Sequence, residues 1–351
     1  MRTELLDYSL PDELIAKRPL EERDASRLLV LDQGAIAHRR IRDLPELLPE
    51  GALLIVNDTR VRRARVFGVR RHSGGKVELL LLGRRPELEG GDGREVWQAL
   101  GRSSKPLRTG VLIDAGRLTC EVREREPDGT VLVNVAAPEA VEAVLAAEGR
   151  VPIPPYLGRE DDAEDVARYQ TVYAQRVGSV AAPTAGLHLT PELLSRVEAR
   201  GVELGRLELE VGLGTFKPIV ADDLSEHVMH EERFQVGPQL VEQVARARER
   251  GRPVVAVGTT VVRALESAAD PQRLGQLRAE SASTRLLIKP GYAFRVVDAL
   301  LTNFHQPKST LLALVAAFAG YDAMRAAYAA AVAERYRFLS FGDAMWLPRR
   351  A

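Results

Sequence analysis

The 351-residue chain has little of what staples or anchors a protein. Its single cysteine, Cys120, excludes an intrachain disulfide and any multi-thiolate zinc site. The longest apolar run, Leu311 to Ala319, is far shorter than the roughly 20 residues a membrane-spanning helix needs. The first residues lack the charged-then-apolar pattern of a signal peptide. Together these absences predict a cytoplasmic protein. No H-E-x-x-H and no G-K-[ST] loop is present, so neither a zincin site nor nucleoside-triphosphate hydrolysis is expected. Charge of one sign is missing too. Lys and Arg number 49, as do Asp and Glu, and a neutral chain argues against indiscriminate nucleic-acid binding.

That neutral average hides an asymmetry. Arg60 to Gly110 holds thirteen Arg or Lys against five Asp or Glu, and residues 111–150 reverse the balance at four against eight. The same region changes character. ARVFGV, KVELLLL, EVWQAL, GVLID, RLTCEV and TVLVNV are short β-rich runs between Gly, Pro and Asp-Gly turns, which predicts a small antiparallel barrel or sandwich. A short helix follows at 138–147, then the proline-stiffened connector VPIPPY at 151–156.

On either side, helix and strand alternate. Ahead of the β-rich region lie a short helix after Pro11, a strand at 27–31, a helix near 43–48 and a buried strand at 52–56. Beyond it, helices over 191–200, 239–250, 260–268, 309–319 and 322–335 alternate with strands at 202–211, 253–257, 284–288 and 294–297. The expected architecture is α/β: a discontinuous, mostly parallel domain, open or barrel-like, from residues 1–60 and 150–351. A small antiparallel β-barrel domain at 61–149 is inserted into it. Acidic Glu160–Asp165 reads as a solvated loop.

Several stretches could carry chemistry. YQTVYAQRVGSVAAPTAGLHLT (169–190) sets Tyr169 and Tyr173 at helical spacing. Small residues follow, then His188 just before a helix with Thr190 as N-cap and Pro191 at its first position. It is either a closely packed loop or one that admits a ligand. Asn57-Asp58-Thr59-Arg60 ends a buried strand, as a turn or as part of a ligand crevice. HVMHEE (227–232) is either a metal set or, better, a proton relay. VGLGTF (211–216) is a bend or a ligand loop. In VAVGTTVVRALE (255–266), Gly258, Thr259 and Thr260 open a helix that could hold an anion, while Arg263 and Glu266 could form an internal pair. TNFHQPKST (302–310) concentrates polar groups, Asn303 and His305 among them, after an apolar strand.

The 169–190 stretch resembles the central motif of the S-adenosylmethionine:tRNA ribosyltransferase-isomerases of queuosine biosynthesis. DYSLPDELIAKRP (7–19), NDTR (57–60), VGTTVVRALE (257–266), VVDALLTNFHQPKSTLLALVAAFAG (296–320) and YRFLSFGDAM (336–345) resemble the same family in matching order. Met229, His230 and Glu232 match its M-H-x-E block. Three positions depart: Glu210 stands where the family has His, Gln306 where it has Leu, and Arg285 where it has Asp. No role carries over to Glu210 or Arg285.

The resemblance implies transfer and isomerisation of the ribosyl unit of S-adenosylmethionine onto a 7-aminomethyl-7-deazaguanine wobble base of tRNA. Epoxyqueuosine-tRNA forms, and adenine and methionine leave. The implied catalytic set is His188, His230, Glu232 and His305. The implied substrate-binding set has three parts: first Asn57, Asp58, Arg60, Tyr169, Tyr173, Thr184 and Gly186. Next come Gly214, Thr215, Phe216, Gly258, Thr259 and Thr260, and last Arg263, Tyr292 and Asn303. The tyrosines and Phe216 suit a sulfonium and a stacked base. Arg63, Arg65, Arg102, Lys105 and Arg108 of the basic region are the expected tRNA contacts. No metal and no membrane partner is expected. The rival readings are a non-catalytic RNA-binding adaptor and a metal-dependent hydrolase.

Overall fold

The computed structural model describes residues 1–91, 93–212 and 219–349. In chain order the first strands are β1 (Arg27–Asp32), β2 (Ala35–Arg40), β3 (Leu53–Asn57) and β4 (Thr59–Val61), with the short helix α1 (Leu44–Leu47) before β3. Then come β5 (Arg65–Arg70), β6 (Lys76–Arg84), β7 (Glu95–Ser103), β8 (Leu112–Ala115), β9 (Leu118–Arg125), β10 (Val131–Ala136) and helix α2 (Val141–Glu148). The rest is α3 (Ala163–Arg168), β11 (Arg176–Ser179), α4 (Pro191–Ala199), β12 (Glu203–Leu209), β13 (Glu232–Val236), α5 (Pro238–Glu249) and β14 (Val254–Val257), followed by α6 (Thr259–Ser267), β15 (Glu280–Thr284), β16 (Ala299–Asn303), α7 (Thr310–Ala319), α8 (Tyr321–Ala333) and β17 (Ala344–Pro348).

Nine strands form one large sheet, ordered β15-β13-β12-β3-β14-β16-β17-β1-β2 and open rather than closed into a barrel. Its centre, β12 to β16, is parallel, as is β17 with β1; β16 and β17 pair antiparallel, and antiparallel pairs also finish both edges. All five residues of β3 are buried, as expected of a parallel strand covered on both faces. Alternation sorts them: Leu53 and Ile55 meet α5 and α6, while Leu54 and Val56 meet α1 and α4. Strands β5 to β10 close the antiparallel barrel in the order β10-β7-β6-β5-β8-β9. Trp97, Ile113, Cys120 and Val133 fill it, and Val144 and Leu145 of α2 pack against that filling. Gly68 lets β5 approach β8, where a Cβ would lie 2.6 Å from the Asp114 carbonyl oxygen.

Four local expectations change. Strands lie at 280–284 and 299–303, not at 284–288 and 294–297. Backbone N–H groups of Arg295, Val296 and Val297 are taken instead by the buried Glu266 carboxylate, which holds an apolar run in loop form. Asp161 and Asp165 are not solvated; they are buried on Arg150 and Arg159, and Asp162 caps α3. Helix α3 ends at Arg168, so Tyr169 and Tyr173 follow it rather than sharing one helical face. After Pro11 the chain makes only a 3-10 turn, Asp12–Leu14.

Candidate functional site

Strands β14 and β16 run side by side in parallel, with Val257 opposite Leu301. Beyond their C-terminal ends lies a cleft of about 630 Å³, space open to solvent included. Such an end is where open α/β sheets bind ligands. Four of the motif stretches contribute, Val211 being the part of 211–216 that does. Thr184 and Ala185 come from the 169–190 stretch, Gly258, Thr259 and Thr260 open α6, and Asn303 and His305 end β16. Tyr156, Thr302, Gln306, Ser309 and Ser340 complete the polar lining. No Arg, Lys, Asp or Glu is among the described lining residues.

Local sequence sets each piece. Gly258 turns β14 into α6 at φ 96°, a left-handed conformation that glycine adopts without strain. No side chain caps α6. Its first N–H groups therefore have no partner within the helix. By contrast Thr190 caps α4 and Ser309 caps α7, their hydroxyls accepting from Leu193 N and Leu312 N at 3.1 Å.

The two buried histidines differ in position. His305 lines the cleft, and its Nε2 lies 2.9 Å from Thr302 Oγ1. Burial lowers its pKa to about 3. His188 ends the 3-10 turn Thr184–His188 and stands behind Asn303, whose Nδ2 donates to its Nε2 at 3.1 Å. Burial, helped by Arg337 and Arg23, lowers its pKa to about 4. His188 opens on a smaller pocket with Arg23, Arg168 and Phe341 instead. Both rings are neutral near neutral pH.

The remaining candidates form supporting layers. Asn57 is spent on backbone: Nδ2 donates to Leu209 O at 2.9 Å, and Oδ1 accepts from Thr59 N and Leu209 N at 3.1 Å. Burial raises the Asp58 carboxyl pKa, against the pull of Arg176 and Arg206. Arg60 is exposed, in a groove beside Tyr169. Tyr169 packs edge-on against Phe341, and Tyr173 sits under Gly186, where any Cβ would strike its hydroxyl. Glu232 and Arg263 form a buried ion pair between β13 and α6, and Arg263 Nε also donates to Leu286 O at 3.1 Å. Neither lines the cleft, and His230 is exposed outside it. Tyr292 donates to Glu266 at 3.3 Å rather than facing the cleft. Gly214, Thr215 and Phe216 lie outside the described residues.

Sequence reading overlooks Tyr156, Thr302, Ser309 and Ser340. Tyr156 reads as part of a connector, yet its hydroxyl bonds that of Ser340 across the cleft floor. Ser340 lies within the YRFLSFGDAM match, which is the available signal. Among the described residues no group of three or more His, Cys, Asp or Glu is arranged to hold a metal.

Comparison with known proteins gives one consistent result. The family model described as "Queuosine biosynthesis protein" matches residues 3–347. The S-adenosylmethionine:tRNA ribosyltransferase-isomerase of Sorangium cellulosum is 54% identical, covering 98% of each chain. That of Anaeromyxobacter dehalogenans is 52% identical over 100% of each. The crystal structure of an S-adenosylmethionine tRNA ribosyltransferase from Thermotoga maritima matches with a TM-score of 0.55. It is 36% identical and covers 97% of this chain and 99% of its own.

Proposed function

The chain belongs to the queuosine biosynthesis protein family and has S-adenosylmethionine:tRNA ribosyltransferase-isomerase activity, and from that premise we propose that the cleft at the ends of β14 and β16 is its reaction site. The observation that carries this reading is the meeting of four family-like segments, 169–190, 257–266, 296–320 and 336–345, in one uncharged cleft. The acceptor we propose is 7-aminomethyl-7-deazaguanine at the tRNA wobble position, giving epoxyqueuosine with release of adenine and methionine.

Rearranging the ribosyl unit requires a base for the acidic proton beside the sulfonium, and it requires adenine to leave with its electron pair. His305 is the imidazole that lines the cleft, so it is the proton acceptor we favour, its ring oriented by Thr302. His188 reaches the cleft only through Asn303 and acts as a positioning residue. Glu232 and Arg263 hold β13 to α6 and so fix the helix that forms the cleft wall. The neutral lining suits a cationic sulfur, which a nearby Arg or Lys would repel.

Residues 61–149 act in this reading as an inserted RNA-docking domain on the catalytic body of 1–60 and 150–351. Arg102, Lys105 and Arg108 are exposed and carry the tRNA contact. Arg63 and Arg65 contribute less, because Arg63 donates to Ala146 O at 2.7 Å and Arg65 pairs with Glu78 at 2.7 Å. Turnover is metal-independent and cytoplasmic. The test is to mix protein, S-adenosylmethionine and the modified tRNA with and without chelator. Free adenine and methionine should appear in both. No release from the intact mixture refutes the assignment, and chelator-sensitive release restores the metal-dependent alternative.

A further inference from the structure

Two buried polar atoms in the cleft have no hydrogen-bond partner: Thr260 Oγ1 and Asn303 Oδ1. Their residues are 7% and 2% exposed. Such groups are costly to leave unpaired, and both are free to bond a ligand in the cleft.

The two atoms want opposite partners. Asn303 Nδ2 donates both its hydrogens, to Leu339 O at 3.2 Å and to His188 Nε2 at 3.1 Å. That fixes the amide, and Oδ1 can only accept. Thr260 has a hydroxyl to donate, and it stands in the first turn of the nine-residue helix α6, which no side chain caps. The N–H groups of that turn and the positive end of the helix dipole add donors beside it. One wall therefore offers donors for a small anion and an acceptor for a cation, with no charged side chain among the described lining residues.

We infer that this wall binds the amino-acid head of S-adenosylmethionine, its carboxylate on Thr260 and the α6 N-terminus and its ammonium on Asn303 Oδ1. The inference rests on the cleft being the S-adenosylmethionine site. A tRNA phosphate offers similar oxyanion chemistry, but Thr260 is deeply buried and no Arg or Lys accompanies it. A zwitterion needs no such counterion; a phosphate chain usually takes one.

The test compares calorimetric affinities for S-adenosylmethionine and for decarboxylated S-adenosylmethionine, each measured with and without tRNA present. Wild type should prefer the carboxylate-bearing ligand by about tenfold or more. Thr260→Val should narrow that preference severalfold and leave tRNA affinity unchanged. Equal affinity of wild type for the two ligands overturns the inference while leaving the site intact, and needs no variant that has to fold. A Thr260→Val protein with weakened tRNA binding and an unchanged ligand preference moves the anion site to phosphate and also overturns it. Absence of any S-adenosylmethionine binding by wild type overturns the site itself.

Discussion

The cleft and the barrel handle polar groups in opposite ways. Around the cleft, polar atoms are buried, few are charged, and two are left without partners. In the barrel, charges are plentiful, exposed and mostly paired with one another. Arg71 pairs with Asp114, Arg84 with Glu89, Arg94 with Glu121 and Arg117 with Glu148. Two of these pairs, Arg71 with Asp114 and Arg94 with Glu121, join the basic half of the barrel sequence to its acidic half, so folding cancels part of the asymmetry seen in the chain. Burial makes each polar group in the α/β body energetically decisive, whereas solvent makes each barrel pair nearly replaceable. The same chemistry thus has a structural cost in one region and little in the other.

The sharpest test of that contrast sets a buried pair against an exposed one. Glu232→Gln leaves Arg263 buried without a counter-charge and should destabilise the protein by about 3–5 kcal/mol. Asp114→Asn breaks an exposed barrel pair and should cost less than about 1 kcal/mol. Urea midpoints of the two variants measure the difference. Similar losses would mean that burial does not separate the two regions.

A second comparison lies inside the α/β body. His305→Gln should lower kcat by about a hundredfold or more if His305 moves a proton, with the fold intact. His188→Asn should cost less, about tenfold, because it acts by orienting Asn303. Single-turnover adenine release separates the two. A larger effect at His188 would return proton transfer to that residue.

The third prediction concerns acid. His188 and His305 have folded values near 4 and 3, below the ordinary 6.5. Unfolding lets both take up protons between those values and 6.5. Their contribution is therefore complete above 6.5 and is lost as pH falls from there towards 4. Burial raises the pKa of Asp58, Glu210 and Asp343, and these carboxyls act in the opposite sense as pH falls. The measurement is accordingly the difference between wild type and a His188→Asn, His305→Gln double variant. Wild type should lose about 3–4 kcal/mol more between pH 7 and pH 5.

Much of this is legible in the chain. Apolar runs place β3, β12 and β14, the spacing of β-rich runs gives the barrel, and a capping residue marks α4. What sequence cannot give is pairing and satisfaction. Strand β15 is ESAST, an edge strand with no apolar signal, and the pattern favours the more apolar 284–288 just after it and, further on, 294–297. Whether that run becomes strand or loop depends on Glu266, far away in sequence, taking its N–H groups. The same limit explains the site. Thr184, Gly258–Thr260, Asn303 and His305 stand out as candidates, but nothing local separates His305 in the cleft from His188 behind Asn303. Nor can spacing show that Glu232 turns to Arg263.

The smallest expected effect belongs to the barrel surface. Folding pairs Arg62 with Glu142, Arg71 with Asp114 and Arg94 with Glu121, whereas Arg102, Lys105 and Arg108 are exposed and have no ion pair among the described residues. Arg70 braces the segment they occupy by donating to Ser103 Oγ and Pro106 O, each at 3.1 Å. Nearby Phe67 is 47% exposed and shares a groove with Arg102 and Lys76, giving an apolar ring beside free cations. Charges that the protein itself does not neutralise are the ones available to phosphates. The Arg102→Ala, Lys105→Ala, Arg108→Ala triple variant should keep its S-adenosylmethionine affinity and its urea midpoint. Its tRNA affinity should fall, and the slope of log affinity against log salt should shrink by about 0.7–0.9 for each phosphate the variant no longer neutralises. An Arg71→Ala, Arg94→Ala variant removes two charges that are already paired, and its slope should hardly change. If the two variants shift the slope equally, pairing does not decide which barrel charges meet RNA; if neither does, tRNA docks elsewhere.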